Sequence, residues 1–343
     1  MQDSPHEYIH ISLSPWDLSD DYNRHTGTTI ASVLENCSRK VIIHLLYEEK
    51  FSRQNPAGAE ANIQKYHQLA SEYGAEVFFH AVTLPEWVND SDRKSLQHFT
   101  PGALLRLYIP KLLLNEISKV IYLDCDTIVK TDLAQLWDVP LDNYALAACV
   151  DAANSSNVRF YKDIYESHDI AWKQYFNTGF LIMNLDKLRK TNYLPDRIMT
   201  IICNSPDLPY PDQDALNSVF QADTLFMSQR YNLPVGMRMT DYRLMKKLGI
   251  RDGEYEDCIL HFNGRKKPWK VYSGVVDEEY WQYFKKTPWG SDNELYDGFY
   301  ASAKNGKVSF VDRIMGTGLN HYIRTAWSFM EYVGRKLTSI VGL

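Results

Sequence analysis

Short β-rich runs alternate with helical patterns along most of this chain, and no other feature restricts its fold as strongly. EYIHISL (7–13), KVIIHLLY (40–47) and EVFFHAV (76–82) read as strands. Between the second and third, AEANIQKYHQLASEYG (59–74) has helical spacing and ends on a glycine stop. LLRLYIPKLL (104–113) reads as helical despite Pro110 and leads into VIYLD. YALAACV (144–150), FNTGFLIMNL (176–185) and CILHF (258–262) follow as strands, with helices expected over 186–203 and from Asp214 to Phe220. The expectation is an α/β protein with a mostly parallel central sheet flanked by helices. Ligands of such sheets bind beyond the carboxyl ends of the strands.

The run VIYLDCDTIV (120–129) ends on Asp124 and Asp126. Strand residues two apart point the same way, so an extended ending aims both anions at one spot, where they repel unless a cation or proton separates them. DxD also occurs at Asp90/Asp92, in a polar stretch that suggests a solvated turn, and at Asp212/Asp214. Only Asp124/Asp126 completes an apolar run; it fits a metal platform or a structural turn.

Two further stretches carry chemistry. In ILHFNGRKKPW (259–269), His261 lies in an expected strand, as a core residue or a ligand, and Arg265, Lys266 and Lys267 follow around a turn at Gly264. Carboxylates with one imidazole suit a hard-to-borderline ion such as Mn²⁺, and a lysine supplies a point charge for phosphate. In YPDQDALNSVF (210–220), Asp212 precedes a helical run and fits a helix cap as well as a functional role. Gln213 can donate and accept hydrogen bonds together, as sugar hydroxyl recognition requires.

The composition, 45% hydrophobic and 23% charged, is that of a folded chain and excludes disorder as its description. Five scattered cysteines form no CxxC pair, which argues against a disulfide frame or a cysteine zinc site and fits a reducing compartment. MQDSPHEYIHISLS reads as no signal peptide, and no apolar run approaches the roughly 18 residues that span a bilayer, so a cytoplasmic protein is expected. Residues 301–343 carry six basic and two acidic side chains, a net +4 that leaves −10 for the rest of a chain totalling −6. Within 319–341, Leu319, Tyr322, Ile323, Trp327, Met330 and Leu337 fall at helical spacing opposite Arg324 and Arg335. A helix packed on the body and an interfacial helix on an anionic membrane both fit; the charge contrast favours the membrane, on the inner face of the plasma membrane. Nucleic acid is not an expected partner of an acidic body. The chain has no GxGxxG or GxxxxGK[ST] phosphate cradle.

YLDCDTIV, FNTGFLIMNL, PDQDALN and HFNGRKKPW, in this order, resemble glycosyltransferase family 8, which includes bacterial lipopolysaccharide galactosyl- and glucosyltransferases and glycogenin. The resemblance runs from about residue 8 to YWQYFKKTPW, ending at 289. It implies a GT-A nucleotide-diphospho-sugar transferase fold over 1–289; composition and spacing add a polar connector over 290–306 and a basic amphipathic helical tail over 307–343. It further implies a retaining hexosyltransferase that moves galactose or glucose from a UDP-sugar to a saccharide or glycolipid acceptor in lipopolysaccharide or other surface glycan synthesis. Mn²⁺ is the implied cofactor, with Mg²⁺ as the alternative. Residue by residue, Asp124, Asp126 and His261 resemble the metal ligands and Lys267 the diphosphate lysine. Arg106 resembles the arginine on the donor sugar, Asn177, Asp212 and Gln213 the residues lining the transferred sugar, with Gln213 and Asp212 the catalytic candidates, and Asp151 and His98 acceptor-side positions. Gly264 falls where the family's loop closes over the donor. The departure lies in SPWDLSDDYNRH, where Asp20, Asp21 and Tyr22 follow the first strand later than the family's uridine-holding stretch; Tyr22 is the candidate nucleobase contact. Two other readings compete. One is a non-catalytic, membrane-associated nucleotide-sugar binder. The other is a haloacid-dehalogenase-like phosphatase, disfavoured because Ile128 stands in its motif and no GDxxxD follows.

Overall fold

The computed structural model describes residues 8–89, 101–151, 161–191, 194–235, 256–263, 267–270, 275–291, 297–298 and 300–302. Ten strands are assigned among them: β1 (Ile9–Trp16), β2 (Val41–Glu48), β3 (Glu76–Val82), β4 (Lys119–Leu123), β5 (Thr127–Val129), β6 (Leu146–Val150), β7 (Phe176–Asn184), β8 (Thr224–Phe226), β9 (Leu233–Pro234) and β10 (Ile259–His261). Seven form a sheet in the order β3-β2-β1-β4-β7-β6-β8, and β5-β10-β9 form a smaller second sheet. In the large sheet only β7 runs antiparallel to its neighbours. The expected mostly parallel α/β sheet is therefore present.

Period-two alternation divides the core between the two faces of the sheet. Ile9, Ile11, Ile43, Leu45 and Ile121 pack on one side with Ile30, Tyr66 and Leu69. Leu46, Val120, Tyr122, Leu181 and Met183 pack on the other with Leu104, Leu107, Ile198 and Leu216. The helix Pro56–Glu72 begins where the Asn55 side chain accepts from the Gly58 N–H at 3.1 Å, with proline in its first turn. It stops before Gly74, whose φ of +65° is the left-handed conformation that glycine adopts without strain.

Two expected helices are corrected. Residues 104–113 do not form one α-helix: Pro101–Tyr108 is 3₁₀ and Ile109–Leu112 a single α turn, with Pro110 in its first turn, where its missing N–H leaves no bond unmade. The helix expected over 186–203 is two, Leu185–Thr191 and Asp196–Asn204, and Pro195 stands at the N-cap of the second. The YWQYFKKTPW stretch packs on the body. Trp281, Phe284 and Trp289 belong to the first core cluster, and the Trp289 indole N–H donates to Asn62 Oδ1 at 2.9 Å.

One topological fact locates the site. Because β7 is reversed, its first residues lie at the same edge as the last residues of its neighbours: Phe180 pairs with Leu123 of β4, and Phe176 with Val150 of β6. FNTG, LDCD and VD thus meet at the carboxyl edge of the parallel strands.

Candidate active site

β4 ends at Leu123, so Asp124-Cys125-Asp126 is a turn and not the extended ending expected from the sequence. The two carboxylates still converge, because the turn is held on several sides. Thr29, on the helix Asn23–Asn36, donates its hydroxyl to the carbonyls of Cys125 (3.1 Å) and Thr127 (2.8 Å). Asp124 N–H donates to Gly179 O at 2.9 Å, and the Tyr122 hydroxyl to Asp124 Oδ1 at 2.9 Å. Cys125 is buried beneath, its thiol pushed up to about 12 by burial, as a space-filling residue.

His261 arrives by strand pairing. β10 runs antiparallel to β5 with His261 opposite Thr127, and Phe262 N–H donates to Asp126 O at 2.9 Å. His261 Nε2 lies 3.2 Å from Asp126 Oδ1 and 3.6 Å from Asp124 Oδ2. One ligand atom from each of these residues lies within 4.8 Å of the others, and two carboxylate oxygens with one imidazole nitrogen are the donor set of a borderline divalent ion. The Lys267 ammonium donates to Asp126 Oδ2 and to Phe262 O. Burial raises the Asp126 pKa, but Lys267 and His261 outweigh it and hold the carboxyl well below the usual range. Gly179 makes the cluster possible: a Cβ there would lie 2.2 Å from His261 Cε1 and 2.8 Å from Asp124 Oδ2.

Arg106 joins this cluster to the PDQD segment from within the protein. It is 3% exposed; Nε donates to Ala103 O at 2.7 Å and Nη1 to Thr178 O at 2.5 Å, while Nη2 lies 3.1 Å from Asp124 Oδ1 and 3.7 Å from Asp212 Oδ2. Its guanidinium also covers the Tyr122 ring, 4.6 Å from the centroid. Asp212 is 4% exposed, and burial lifts its pKa to about 6 against the opposing pull of Arg106. It is not the helix cap: the helix spans Pro211–Phe220 with Tyr210 at the N-cap, which places Asp212 in the first turn.

Gln213 is held at both ends of its amide. Oε1 accepts from Asn177 Nδ2 at 3.0 Å and Thr178 N–H at 3.1 Å, while Nε2 donates to Asp151 Oδ2 at 2.9 Å and the Tyr175 hydroxyl at 3.0 Å. Tyr175 in turn donates to Asp214, whose pKa burial raises to about 8. Tyr22 belongs to an aromatic group beside Lys267: its ring meets His25 and Trp269 edge-on, and Lys267 lies 5.8 Å from the Trp269 centroid. Burial raises the Tyr22 pKa well above the ordinary value, with Asp126 adding to the rise.

The structure therefore brings together Asp124, Asp126, His261, Lys267, Arg106, Asp212, Gln213, Asn177 and Asp151. Gly264, His98, the Asp90/Asp92 pair and the tail over 307–343 lie outside the described residues. Sequence reasoning missed Gly179, Thr178, Tyr175, Asp214 and Asn232. The first two stand inside FNTGF, where a glycine within a strand signals close approach; Asn232 has no local signal at all.

The architecture is the GT-A fold. It superposes on the galactosyltransferase LgtC, solved with donor and acceptor sugar analogues, with a TM-score of 0.62 at 20% identity over 85% of this chain and all of that one. The sequence model of glycosyl transferase family 8 matches residues 15–272, and the chain belongs to that family. Relatives include General stress protein A of Bacillus subtilis, 26% identical over 79% of this chain and 92% of that protein. Lipopolysaccharide 1,2-glucosyltransferase of Escherichia coli K12 is 26% identical over 57% of this chain and 58% of that protein. The phosphatase reading falls with this assignment. Among the described residues, no helix is long and apolar enough to cross a membrane.

Proposed function

We propose that the protein is a retaining hexosyltransferase that moves galactose or glucose from a UDP-sugar to a saccharide or glycolipid acceptor in lipopolysaccharide or other surface glycan synthesis. The observation that carries this reading is the convergence of Asp124, Asp126 and His261 within 4.8 Å, with Lys267 on Asp126. These three residues would hold Mn²⁺, or Mg²⁺ as the alternative, which when bound neutralises charge on the departing diphosphate. Lys267 adds a second positive charge for that leaving group. The edge formed by Asn177, Gln213 and Asp212 receives the transferred sugar, and Asp151 lies on the acceptor side.

Breaking the sugar–phosphate bond builds positive charge at the anomeric carbon. The Gln213 amide is a neutral dipole beside that charge, held in one orientation because its oxygen accepts from Asn177 and the Thr178 N–H while its nitrogen donates to Asp151 and Tyr175. Retention by attack on the face of the departing diphosphate fits an amide here better than a covalent route, which needs a free carboxylate at the reacting carbon. Asp212 is nine-tenths buried and engaged with Arg106. Trapping a glycosylated Asp212 by mass spectrometry would overturn same-face attack.

The deciding experiment screens UDP-hexoses for Mn²⁺-dependent UDP release by the full chain. Release abolished by Asp126→Asn supports the reading, and no release with any donor or acceptor sugar favours a non-catalytic binder. The basic tail is proposed to hold the enzyme on the inner face of the plasma membrane. Equal pelleting with anionic vesicles by the full chain and by a chain ending at Gly306 would sink that part.

A further inference from the structure

The metal cluster and the sugar-lining amides are joined by a residue that neither set includes. Asn232 is 3% exposed and ends the short 3₁₀ helix Gln229–Asn232. Its Oδ1 stands 2.7 Å from His261 Nδ1, and its Nδ2 donates to Asn177 Oδ1 at 2.8 Å. Asn177 then donates to Gln213, and Gln213 to Asp151 and Tyr175. One hydrogen-bonded line thus runs from the imidazole to the residues around the sugar.

The direction of every bond in that line is determined by its ends. His261 Nε2 faces the oxygens of Asp124 and Asp126. When Nε2 gives its lone pair to a cation, the one hydrogen of the neutral ring is on Nδ1, which donates. The far end agrees, because Asn177 Oδ1 already accepts from the Gly179 N–H and so takes the Asn232 N–H₂, which turns Asn232 Oδ1 towards the ring. The partner of Nδ1 on Asn232 is then the carbonyl oxygen, which leaves the Asn232 amide N–H₂ for Asn177 Oδ1. Asn177 Oδ1 also accepts from Gly179 N–H at 2.9 Å, so the Asn177 amide can offer Gln213 only its own N–H₂. The backbone fixes the geometry: β9, which directly follows Asn232, pairs with β10, and Val235 N–H donates to His261 O at 2.8 Å.

We propose that Asn232 is a positioning residue that sets the ring orientation of His261 and the amide orientation of Asn177 together, so that cation binding and alignment of the transferred sugar depend on one side chain. This rests on the function proposed above and adds to it a residue outside the four motifs. A partner on the far nitrogen of a ligating histidine fixes its tautomer and tunes its basicity. Here the same partner also holds the sugar pocket.

Two substitutions in the full chain separate the two arms. Asn232→Ala removes both, and Mn²⁺ affinity, titrated by electron paramagnetic resonance without any sugar, is expected to fall roughly 10–100-fold. Asn232→Asp keeps an acceptor for His261 but sets a carboxylate against Asn177 Oδ1. It should hold Mn²⁺ within about threefold of the native chain yet lose roughly tenfold or more in kcat for UDP-sugar hydrolysis, with donor KM changing less. A merely structural asparagine would lower the urea midpoint and weaken both variants alike. The inference fails if Asn232→Ala binds Mn²⁺ like the native chain, or if Asn232→Asp loses as much Mn²⁺ affinity as Asn232→Ala. A native chain that binds no Mn²⁺ sinks the proposed function and this inference together. One that binds Mn²⁺ but turns over no UDP-hexose sinks the enzymatic reading alone, and the titrations still decide the role of Asn232 towards His261.

Discussion

Replacing Arg106 with methionine tests the electrostatic core of the site. The guanidinium is 3% exposed and serves four acceptors: the carbonyls of Ala103 and Thr178 and the carboxylates of Asp124 and Asp212. Methionine fills much of the volume but offers no donor, and it leaves Asp212 buried without its cation. Breaking a buried pair on one side costs about 3–5 kcal/mol, and stranding two carbonyls places the expected loss at the upper end of that range. This is a large share of the roughly 5–15 kcal/mol that holds a domain folded. The pH dependence has a definite sign. Burial already lifts Asp212 from 3.8 to about 6, with Arg106 opposing the rise, so the variant's Asp212 pKa lies higher still. An acid whose folded pKa exceeds its unfolded value is stabilised at low pH, and that stability is lost as pH rises through the folded pKa. The stability gap between native and Arg106→Met should therefore widen between pH 5 and pH 8. Urea unfolding across that range measures it. Arg106→Lys should fall between the two, because a lysine keeps the charge but cannot reach all four acceptors. A loss under about 1 kcal/mol, or a gap that narrows with rising pH, would refute this account of Arg106.

Gly179→Ala should abolish metal binding and cost about 1–3 kcal/mol of stability in urea unfolding, since the new Cβ would lie 2.2 Å from the rigid His261 ring; retained Mn²⁺ affinity would contradict this. Lys267→Met removes the cation on Asp126, so Mn²⁺ affinity without nucleotide should rise several-fold while donor KM increases, both read from titration and steady-state kinetics. Across β1–β3, His10 Nδ1 lies 3.0 Å from His44 Nε2, and His44 Nδ1 lies 3.0 Å from His80 Nε2. Burial lowers His10 from 6.5 to about 4 and His44 to about 3. The unfolded chain takes up protons first, so stability present above pH 6.5 is lost as pH falls towards 4, at up to about 1.4 kcal/mol per pH unit for each histidine. A His10→Asn/His44→Gln variant should show a flatter acid limb, and an unchanged slope would place the acid sensitivity elsewhere.

Strand positions, the glycine stop at Gly74 and the family were legible in the sequence, because alternation, capping chemistry and ordered motifs are local. The helical breaks at Pro110 and around Pro195 were misjudged because apolar spacing outweighed a proline whose effect depends on where the turn begins. The ligand trio was legible as residue types. Its convergence was not: it depends on β10 pairing with β5 so that His261 faces Thr127. Arg106 was legible as a motif residue, but only the packing shows that its guanidinium is spent on buried carbonyls and carboxylates.

The sequence by itself determined that this chain forms an alternating α/β sheet and carries an acidic pair, an imidazole and a lysine fit for a bound cation and phosphate. Tertiary structure alone decided that these groups share one place, that Gly179 leaves room for them, and that Asn232 joins them to the sugar-lining amides. The reason is physical: periodicity and capping act over a few residues, whereas a hydrogen bond between side chains 29 or 55 positions apart exists only once strands of two sheets have paired.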